Sequence, residues 1–485
     1  MRSLRLVILA LALAVPASGQ QLIAFQPGDV ILRGGLVFDA VRDDVRTNTG
    51  ILVRNGVILA VDLPLTPRGQ DDLRIIDLDS TATILPGFFD LHAHYAMDLF
   101  GEGRIDEYEI NPILFLANGV TSTFPAGEVD PQGMQRTREE IDAGTRIGPR
   151  LYNSGPYFGT ARPGWVARAM TPDSIQAEVD WWAGRGVRGF KAKGIAPDQL
   201  EALIAGAHRH GLTVTGHLDS GFRNSVNPRD AVLMGIDRIE HFSGGDAIRA
   251  DRPAYSSLEL LDTATPEVRA QFDRLIAHRV QYDATVTAYG YFGARDAAVY
   301  ERWADDMSFL TPHARAVVEA RLPRQVNQQF ERIYQVKLRE IRAFYEAGGA
   351  AFITLGTDHP SWGEFLSGFG THREMHALNR AGIPAAAVLR IATINGARAL
   401  GVGHKLGTIE AGKYADLVVV GGNPLQDIRR TRDVRWVIKA GQVYDGPALM
   451  ASVRGRLGPR TAAEDDAWKG SIRFAGPPGP AGARH

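Results

Sequence analysis

The stretch that decides the fold is Leu85 to His94, with the sequence LPGFFDLHAH. It has the composition of a buried apolar β-strand that ends in two histidines one residue apart. Because successive side chains of a strand point to opposite faces, His92 and His94 project from the same face and Ala93 points away. Two such imidazoles can bind one metal ion, although histidine pairs at sheet rims also occur without a metal. The stretch therefore predicts a buried strand with a candidate metal site at its end.

The region from about residue 86 to residue 400 alternates apolar β-like segments with helical segments. Seven strand candidates follow the opening stretch: 119–125, 150–154, 186–193, 212–217, 237–241, 280–286 and 351–358. The helix candidates between them include 171–185, 197–210 and 324–347. Eight such strands in roughly 310 residues predict a parallel (β/α)8 barrel with insertions. The longest insertion, around residues 289–323, follows the seventh strand.

Both ends of the chain are rich in short strand candidates with Gly or Asn-Gly turns between them. Residues 29–39, 49–61 and 74–79 precede the barrel region, and residues 406–420 and 434–444 follow it. Two β-rich pieces that flank a long central region can pair, because the ends of a domain often lie close together. We therefore expect them to form one sheet domain.

Composition limits the kind of partner. The chain has 485 residues, 45% of them hydrophobic, with 54 basic against 55 acidic residues and no cysteine. Balanced charge without long runs of one sign argues against nucleic acid or an anionic membrane surface as an obligate partner. The absence of cysteine excludes disulfides, thiol nucleophiles and thiolate metal ligands. We expect a small-molecule partner, and the sequence leaves open whether the protein is a homo-oligomer.

The first 19 residues have the organisation of a secretory signal peptide. Arg2 and Arg5 form a basic start, residues 6–15 an apolar run, and residues 17–19 a small-residue cleavage site. The apolar run is too short to span a membrane. We therefore expect an exported protein, periplasmic or extracellular, whose mature chain has no membrane span.

Side chains that can bind metals or substrates occur at the ends of five of the predicted strands. The C-terminal ends of barrel strands converge on one face, so residues far apart in sequence can meet there. Each residue alone has an ordinary explanation, such as a hydrogen-bonded rim histidine, a salt-bridged lysine or a helix-capping aspartate. Their joint occurrence predicts one shared site, made of His92, His94, Lys191, His217, His241 and Asp358.

The motifs around these residues resemble the amidohydrolase superfamily. They are PGFFDLHAH, GFKAKG, TGHLDS, IEHFSG, GTDHPS and the C-terminal TINGARALGVGHKLGTIEAGKYADLVVVGGNP. The resemblance covers nearly all of residues 25–446 and is greatest with the imidazolonepropionase-like and prolidase-like branch, which includes enzymes that cleave dipeptides and N-acyl amino acids. It implies a (β/α)8 TIM barrel of residues 86–400 and a flanking β-sandwich of residues 20–85 and 401–448. A tail, residues 449–485, would be disordered at its end.

The resemblance also implies a site with two divalent metal ions, zinc being expected while manganese or iron would be tolerated. Its six ligands would be His92, His94 and Asp358 for the more buried ion, His217 and His241 for the more exposed ion, and Lys191, carboxylated by carbon dioxide, as the bridge. A metal-bridging hydroxide would cleave an amide bond. Asp358, Lys191 and His217 would be the catalytic residues, with Asp358 moving the proton to the leaving amine.

The strand position of the bridging lysine is ambiguous. Lys191 and Lys193 lie two residues apart and face the same side, so either could be the bridge. We expect Lys191, because the family motif places the lysine directly after an apolar residue, here Phe190. Lys193 would then bind a substrate anion.

Further substrate contacts are expected from the loops after the strands. Tyr157 and Arg162 follow the third strand and Arg223 follows the fifth. An arginine at such a place can pair with a substrate carboxylate, although most loop arginines are solvated.

Three functions compete. The leading one is a binuclear hydrolase of the amide bond of a dipeptide, an N-acyl amino acid or a cyclic amide. The second is a mononuclear deaminase or a lactone or ester hydrolase on the same scaffold, which a bridging lysine disfavours. The third is a catalytically inactive small-molecule binding protein, which the complete ligand set disfavours.

Overall fold

The computed structural model describes residues 25–63, 73–98, 105–162, 164–301, 303, 305–320, 325–360 and 366–465. The expected signal peptide and residues 466–485 of the expected tail lie outside these ranges. The strands in the described part of the chain are β1 (Val30–Val37), β2 (Arg46–Thr47), β3 (Ile51–Arg54), β4 (Val57–Ala60), β5 (Arg74–Pro86), β6 (Phe88–Ala93), β7 (Ala96–Met97), β8 (Ile105–Asp106), β9 (Val120–Pro125), β10 (Arg150–Leu151), β11 (Tyr157–Phe158), β12 (Gly189–Lys193), β13 (Thr213–His217), β14 (Arg238–Glu240), β15 (Gln281–Asp283), β16 (Ile353–Thr354), β17 (Leu417–Val420), β18 (Val434–Lys439) and β19 (Gln442–Asp445).

Helices separate most of the central strands. The α-helices of the described residues are α1 (Asn111–Ala117), α2 (Pro131–Asp142), α3 (Pro172–Ala183), α4 (Pro197–Arg209), α5 (Pro228–Met234), α6 (Ala254–Leu258), α7 (Pro266–Ala277), α8 (Val286–Phe292), α9 (Pro312–Glu319), α10 (Gln328–Glu346), α11 (Phe369–Arg380), α12 (Ala385–Arg390), α13 (Gly396–Ala399) and α14 (Gly446–Val453). None of these helices combines the length and the apolar character that crossing a bilayer requires.

The two ends of the chain share one mixed sheet, with the strand order β19-β18-β17-β5-β1-β3-β4 and β2 paired to β1. β5 runs parallel to β1 and antiparallel to β17, so that Pro86 lies opposite Leu417 and Thr83 opposite Val420. Buried apolar side chains from both ends pack together, among them Leu32, Ile84 and Leu417. The exact domain boundaries stay predictions.

The described residues of the central region form two parallel sheets and one short antiparallel pair, β7 with β8. One has the order β10-β9-β6 and the other has β11 to β16 in sequence order. Main-chain hydrogen bonds link β6 to the segment after β16, because Leu91 N–H donates to Leu355 O and Asp358 N–H to His92 O, both over 2.9 Å. The fold is therefore α/β with mixed sheets, as in the predicted class, while closure into a regular eight-stranded barrel stays a prediction.

The opening stretch is not one strand, which corrects the expectation for it. Leu85 and Pro86 end β5 in the chain-end sheet, and β6 begins only at Phe88. Gly87 makes the change of sheet, donating its N–H to Asp416 O over 2.8 Å, and a Cβ there would collide with the Thr121 side chain. Both strands are buried and apolar, so composition does not reveal where one sheet gives way to the other.

Two other strands also differ from expectation. The third strand is split into β10 and β11, which belong to different sheets. The eighth strand is only Ile353–Thr354, because residues Gly349–Phe352 form a 3₁₀ helix before it.

Residues 449–465 of the expected tail belong to the packed structure. α14 extends to Val453, and Leu457 packs with Phe309 and Leu310 of the insertion after β15. Leu457 N–H donates to Phe309 O over 2.8 Å, and Thr311 N–H donates to Leu457 O over 2.9 Å.

Candidate metal centre

The parallel strands bring all six predicted metal ligands to one pocket at their carboxyl ends. β12 carries Lys191 and Lys193, and strand register places Lys193 beside His217, the last residue of β13. Tyr157 of β11 lies beside Lys191. The residues that line the pocket are His92, His94, Ala126, Tyr157, Lys191, Lys193, His217, His241, Tyr255 and Asp358.

The Asp358 carboxylate is the point on which the imidazoles converge. Its Oδ1 is 2.8 Å from Nε2 of His94 and 3.4 Å from Nε2 of His92, while its Oδ2 is 4.0 Å from Nε2 of His241. Ligand atoms of His92, His241 and Asp358 all lie within 4.8 Å of one another. Imidazole nitrogens with a carboxylate oxygen are donors that suit a divalent transition metal. The donor set therefore fits a metal ion.

A buried carboxylate lies behind His92, within ion-pair distance of its ring. Nδ1 of His92 is 3.2 Å from Oδ2 of Asp283 and 3.6 Å from Oε1 of Glu240, and both acids are fully buried. An Nδ1–H directed at a carboxylate leaves the Nε2 lone pair for a metal, an arrangement common behind ligating histidines. Gly356 allows this approach, because a Cβ there would collide with Asp283 and His92.

A threonine hydroxyl orients the His241 ring through a hydrogen bond. Nδ1 of His241 is 2.6 Å from Oγ1 of Thr285, and the Thr285 hydroxyl donates to Ala284 O over 2.8 Å. Because its proton is used there, Oγ1 accepts from Nδ1–H, and Nε2 of His241 is left facing the pocket. The rings of His217 and His241 are 4.4 Å apart between centroids, which adds a further imidazole.

Three of these residues have left-handed backbone conformations. The φ angle is 63° at His241, 44° at Thr285 and 58° at Asp358. Such angles are rare outside glycine and cost on the order of 1–3 kcal/mol each, and they concentrate at functional sites. The surrounding packing therefore holds the ligands in strained positions.

Burial sets the protonation of the site. It lowers the pKa of His217 and His241 well below the usual histidine value, so both imidazoles are neutral, the form that binds metals. Burial by itself would raise the pKa of Asp358, but the nearby His92 and His94 outweigh it and hold that pKa well below its usual range.

Lys191 is 1% exposed, and its amine contacts Oε2 of Glu240. Burial, together with the positive charge of Lys193, lowers the pKa of Lys191 well below the usual lysine value, although the negative Asp358 opposes the shift. The neutral amine is thereby favoured at this position.

Two of the four predicted substrate residues reach the pocket. Tyr157 and Lys193 line it. Arg162 does not, because its guanidinium donates to Oε1 of Glu178 over 2.7 Å, and Arg223 is exposed on its loop. Whether either arginine contacts a substrate stays a prediction.

Several residues of the site escaped the sequence interpretation. Asp283 is an acid at the C-terminal end of β15, where the other ligand types also lie, so its residue type was a signal, although the predicted strand 280–286 placed it in mid-strand. Glu240 also carried a signal, since it directly precedes His241. Tyr255 on α6 and Thr285 had none, because their roles depend on how helices and loops fold back over the strands.

Known proteins resemble this chain in sequence and in fold. The model of the amidohydrolase family matches residues 83–444. A 5-methylthioadenosine/S-adenosylhomocysteine deaminase of Desulforamulus reducens is 24% identical over 408 residues, 81% of this chain and 84% of the relative. An N-acetylglucosamine-6-phosphate deacetylase of Vibrio furnissii is 24% identical over 384 residues, 76% of this chain and 85% of the relative.

Other matches cover different shares of the proteins that they match. The chain covers 30%, 17% and 15% of the length of the first three curated relatives that it matches. Among solved structures, a Xaa-Pro dipeptidase with methionine bound in its active site has a TM-score of 0.64 at 21% identity, over 86% of this chain and 100% of that chain. At this identity the likeness is one of fold.

Proposed function

This chain belongs to the amidohydrolase family. We propose that it hydrolyses carbon–nitrogen bonds and that it uses two divalent metal ions to cleave an amide bond of a small molecule. The observation that carries the proposal is the convergence of His92, His241 and Asp358, whose ligand atoms lie within 4.8 Å of one another. Asp283 and Thr285 support it, because they lie on the Nδ1 side of the two rings, so that Nε2 of each histidine is on the side of Asp358.

The proposed ligands divide into two sets. His92, His94 and Asp358 would hold the more buried ion, and His217 and His241 the more exposed one. Zinc suits these donors, and manganese or iron is compatible with them. Bound divalent ions lower the pKa of water and polarise a scissile carbonyl.

Lys191 would bridge the two ions as a carbamate. A protonated amine cannot bind a cation, but a neutral amine can react with carbon dioxide to give a group with two oxygen donors. The burial of Lys191 favours this neutral form. Lys193 lies beside His217, two residues after Lys191 on the same strand. It would attract a substrate anion.

Asp358 would move the proton. Its carboxylate is ionised at neutral pH and is therefore in the form that can accept a proton from the attacking water. The same group would then deliver this proton to the nitrogen of the leaving amine. Proton transfer by a positioned carboxyl group contributes about 10²- to 10⁴-fold to a rate.

The pocket favours an anionic amide with an apolar part. Lys193 supplies a positive charge, and the rings of Tyr157 and Tyr255 supply apolar surface. A dipeptide or an N-acyl amino acid has both features, and a cyclic amide is a further possibility within the same chemistry.

A mononuclear deaminase is the second candidate. The group of His92, His241 and Asp358 has the ligands for one ion, and the similarity to a deaminase extends over 81% of this chain. A lactone or ester hydrolase would use the same ligands. The metal count separates one-ion from two-ion chemistry.

The test combines metal analysis with a substrate screen. Full-length protein would be loaded with zinc and bicarbonate, its metal content measured by plasma mass spectrometry, and its activity assayed on dipeptides, N-acyl amino acids, cyclic amides, aminopurine nucleosides and lactones. We expect two ions per chain and hydrolysis of an anionic amide, lost in His92→Ala.

His208→Ala is the matched control, because His208 is exposed and pairs with Asp237 on the surface. It should retain both metal and activity. If the fully metal-loaded protein hydrolysed no compound of the panel, the proposed enzymatic function would be refuted. That result would support a small-molecule binding protein.

A further inference from the structure

A fully buried ion pair lies behind the metal centre. Lys337 and Glu340 are one turn apart on α10, both are 0% exposed, and Nζ of Lys337 is 2.6 Å from Oε2 of Glu340. Neither residue lines the pocket or belongs to the proposed ligands. Their burial therefore calls for a reason other than contact with substrate or metal.

The contacts of the Lys337 ammonium give that reason. It has three N–H donors and three acceptors: Oε2 of Glu340, the Tyr282 hydroxyl oxygen, and the main-chain oxygen of His241, which is 2.5 Å away. The Tyr282 hydroxyl donates a hydrogen bond to Oε2 of Glu340 over 2.8 Å, and the Ser243 hydroxyl donates one to Oε1 of Glu340. Every donor of the ammonium has a partner, and one of these partners is the backbone of a proposed ligand.

The backbone at His241 needs support. Phe242 N–H donates to Glu240 O over 2.6 Å, which closes a three-residue turn centred on His241, where φ is 63°. A γ-turn with positive φ is the rarer and more strained of the two γ-turn forms. The carbonyl that Lys337 holds is the central one of this turn.

A role in stability alone does not explain the pair. Replacing a buried ion pair with apolar side chains of similar size is often neutral or stabilising. An apolar side chain at position 337 would fill the space but would not bind the His241 carbonyl. We propose that Lys337 is a positioning residue, which holds the strained turn at His241 so that its imidazole faces the more exposed metal ion.

This inference rests on the proposed function, because it takes His241 as a metal ligand. Its consequence is specific. Loss of Lys337 should lower the affinity for the more exposed ion more than the affinity for the more buried ion. The first would be held by His217 and His241, and the second by His92, His94 and Asp358. Residues that support metal ligands typically contribute about 10- to 100-fold to metal affinity.

The decisive variant removes both charges. Lys337→Met with Glu340→Met replaces the pair by flexible apolar side chains and leaves no unpaired buried charge. Cobalt(II) titration of the metal-free protein, followed by visible absorption, gives the affinity of each site. We expect a folded protein in which the site of the more exposed ion is bound about 10- to 100-fold less tightly and has an altered cobalt absorption.

The matched control is Lys439→Met, which removes a buried lysine from β18 in the chain-end sheet. It should leave both cobalt affinities unchanged. If the double variant does not fold, Tyr282→Phe takes its place, since it removes only the hydroxyl that contacts Lys337 and lies 3.3 Å from His241 O. We expect it to weaken the exposed site severalfold, and wild-type affinity there would overturn the inference.

The outcomes separate the two proposals. If the wild type binds no metal, or His241→Ala keeps both sites intact, the proposed function fails. If His241→Ala loses one site while the folded double variant keeps wild-type affinity at both, the role of Lys337 alone is refuted.

Discussion

The Asp358 carboxylate has two proposed roles, as a metal ligand and as the group that carries the proton. His94 and His92 approach its Oδ1 to 2.8 Å and 3.4 Å. Asp358→Asn keeps an oxygen donor but cannot accept a proton. We expect kcat to fall by about 10²- to 10⁴-fold while plasma mass spectrometry finds the wild-type metal content. Near-normal turnover in this variant would refute the proton-carrying role.

Glu128 gives a prediction about pH and stability. It is 3% exposed, and its Oε1 accepts hydrogen bonds from the Asn153 side chain over 2.8 Å and from Ser154 N–H over 3.0 Å. Burial raises the pKa of Glu128 from 4.5 to about 8. Between these values the folded protein keeps a proton that the unfolded chain has lost, so this group makes the free energy of unfolding fall as pH rises.

Glu128→Gln should remove that contribution, because the amide does not ionise and its oxygen can still accept both hydrogen bonds. The measurement is the unfolding midpoint of both proteins at several pH values from 5 to 8. We expect the unfolding midpoint of the variant, relative to that of the wild type, to increase as pH rises. A difference that stays constant over this range would contradict the assignment.

Among the elements, the segment after α14 stabilises the insertion that follows β15. Leu457 is fully buried among Phe309, Leu310 and Val453 and is tied to the insertion by main-chain hydrogen bonds. Leu457→Ala should lower the free energy of unfolding by about 2–5 kcal/mol through lost contacts and a cavity. Urea denaturation measures this, and metal content should not change. An unaltered denaturation midpoint would show that the segment is not anchored there.

Some of the strands and side chains were predictable from the sequence, and others were not. His217 was predictable because it ends an apolar β segment, and the α/β class followed from the alternation of strands and helices. The change from one sheet to the other at Gly87 was not predictable, because both flanking strands are buried and apolar. The contact between Arg162 and Glu178 depends on a loop folding against α3, which no local pattern reports. Side chains fixed by strand geometry were thus predictable, and those fixed by tertiary contacts were not.

On the scale of the whole molecule, one ion pair ties the central sheets to the chain-end sheet. Nε and Nη2 of Arg150 in β10 donate to the buried carboxylate of Asp416 over 2.6 Å and 3.1 Å. Asp416→Ala would leave Arg150 largely buried without this partner. We expect a loss of about 3 kcal/mol in the free energy of unfolding, since removing one partner of a buried pair is strongly destabilising.

Asp77→Ala is the matched control, because Asp77 also receives two hydrogen bonds from one arginine, Arg33, but is 64% exposed. Exposed pairs contribute about 0–1 kcal/mol. Equal losses in the two variants, measured by urea denaturation, would contradict a special role for the Arg150–Asp416 contact.

Counting the bound metal ions tests whether this protein has a binuclear centre bridged by a modified lysine. Wild-type protein, Lys191→Ala and Lys193→Ala would be loaded with zinc in the presence of bicarbonate and measured by plasma mass spectrometry. We expect two ions per chain in the wild type and in Lys193→Ala, and at most one in Lys191→Ala. One ion in the wild type, or two in Lys191→Ala with a loss in Lys193→Ala, would contradict this expectation.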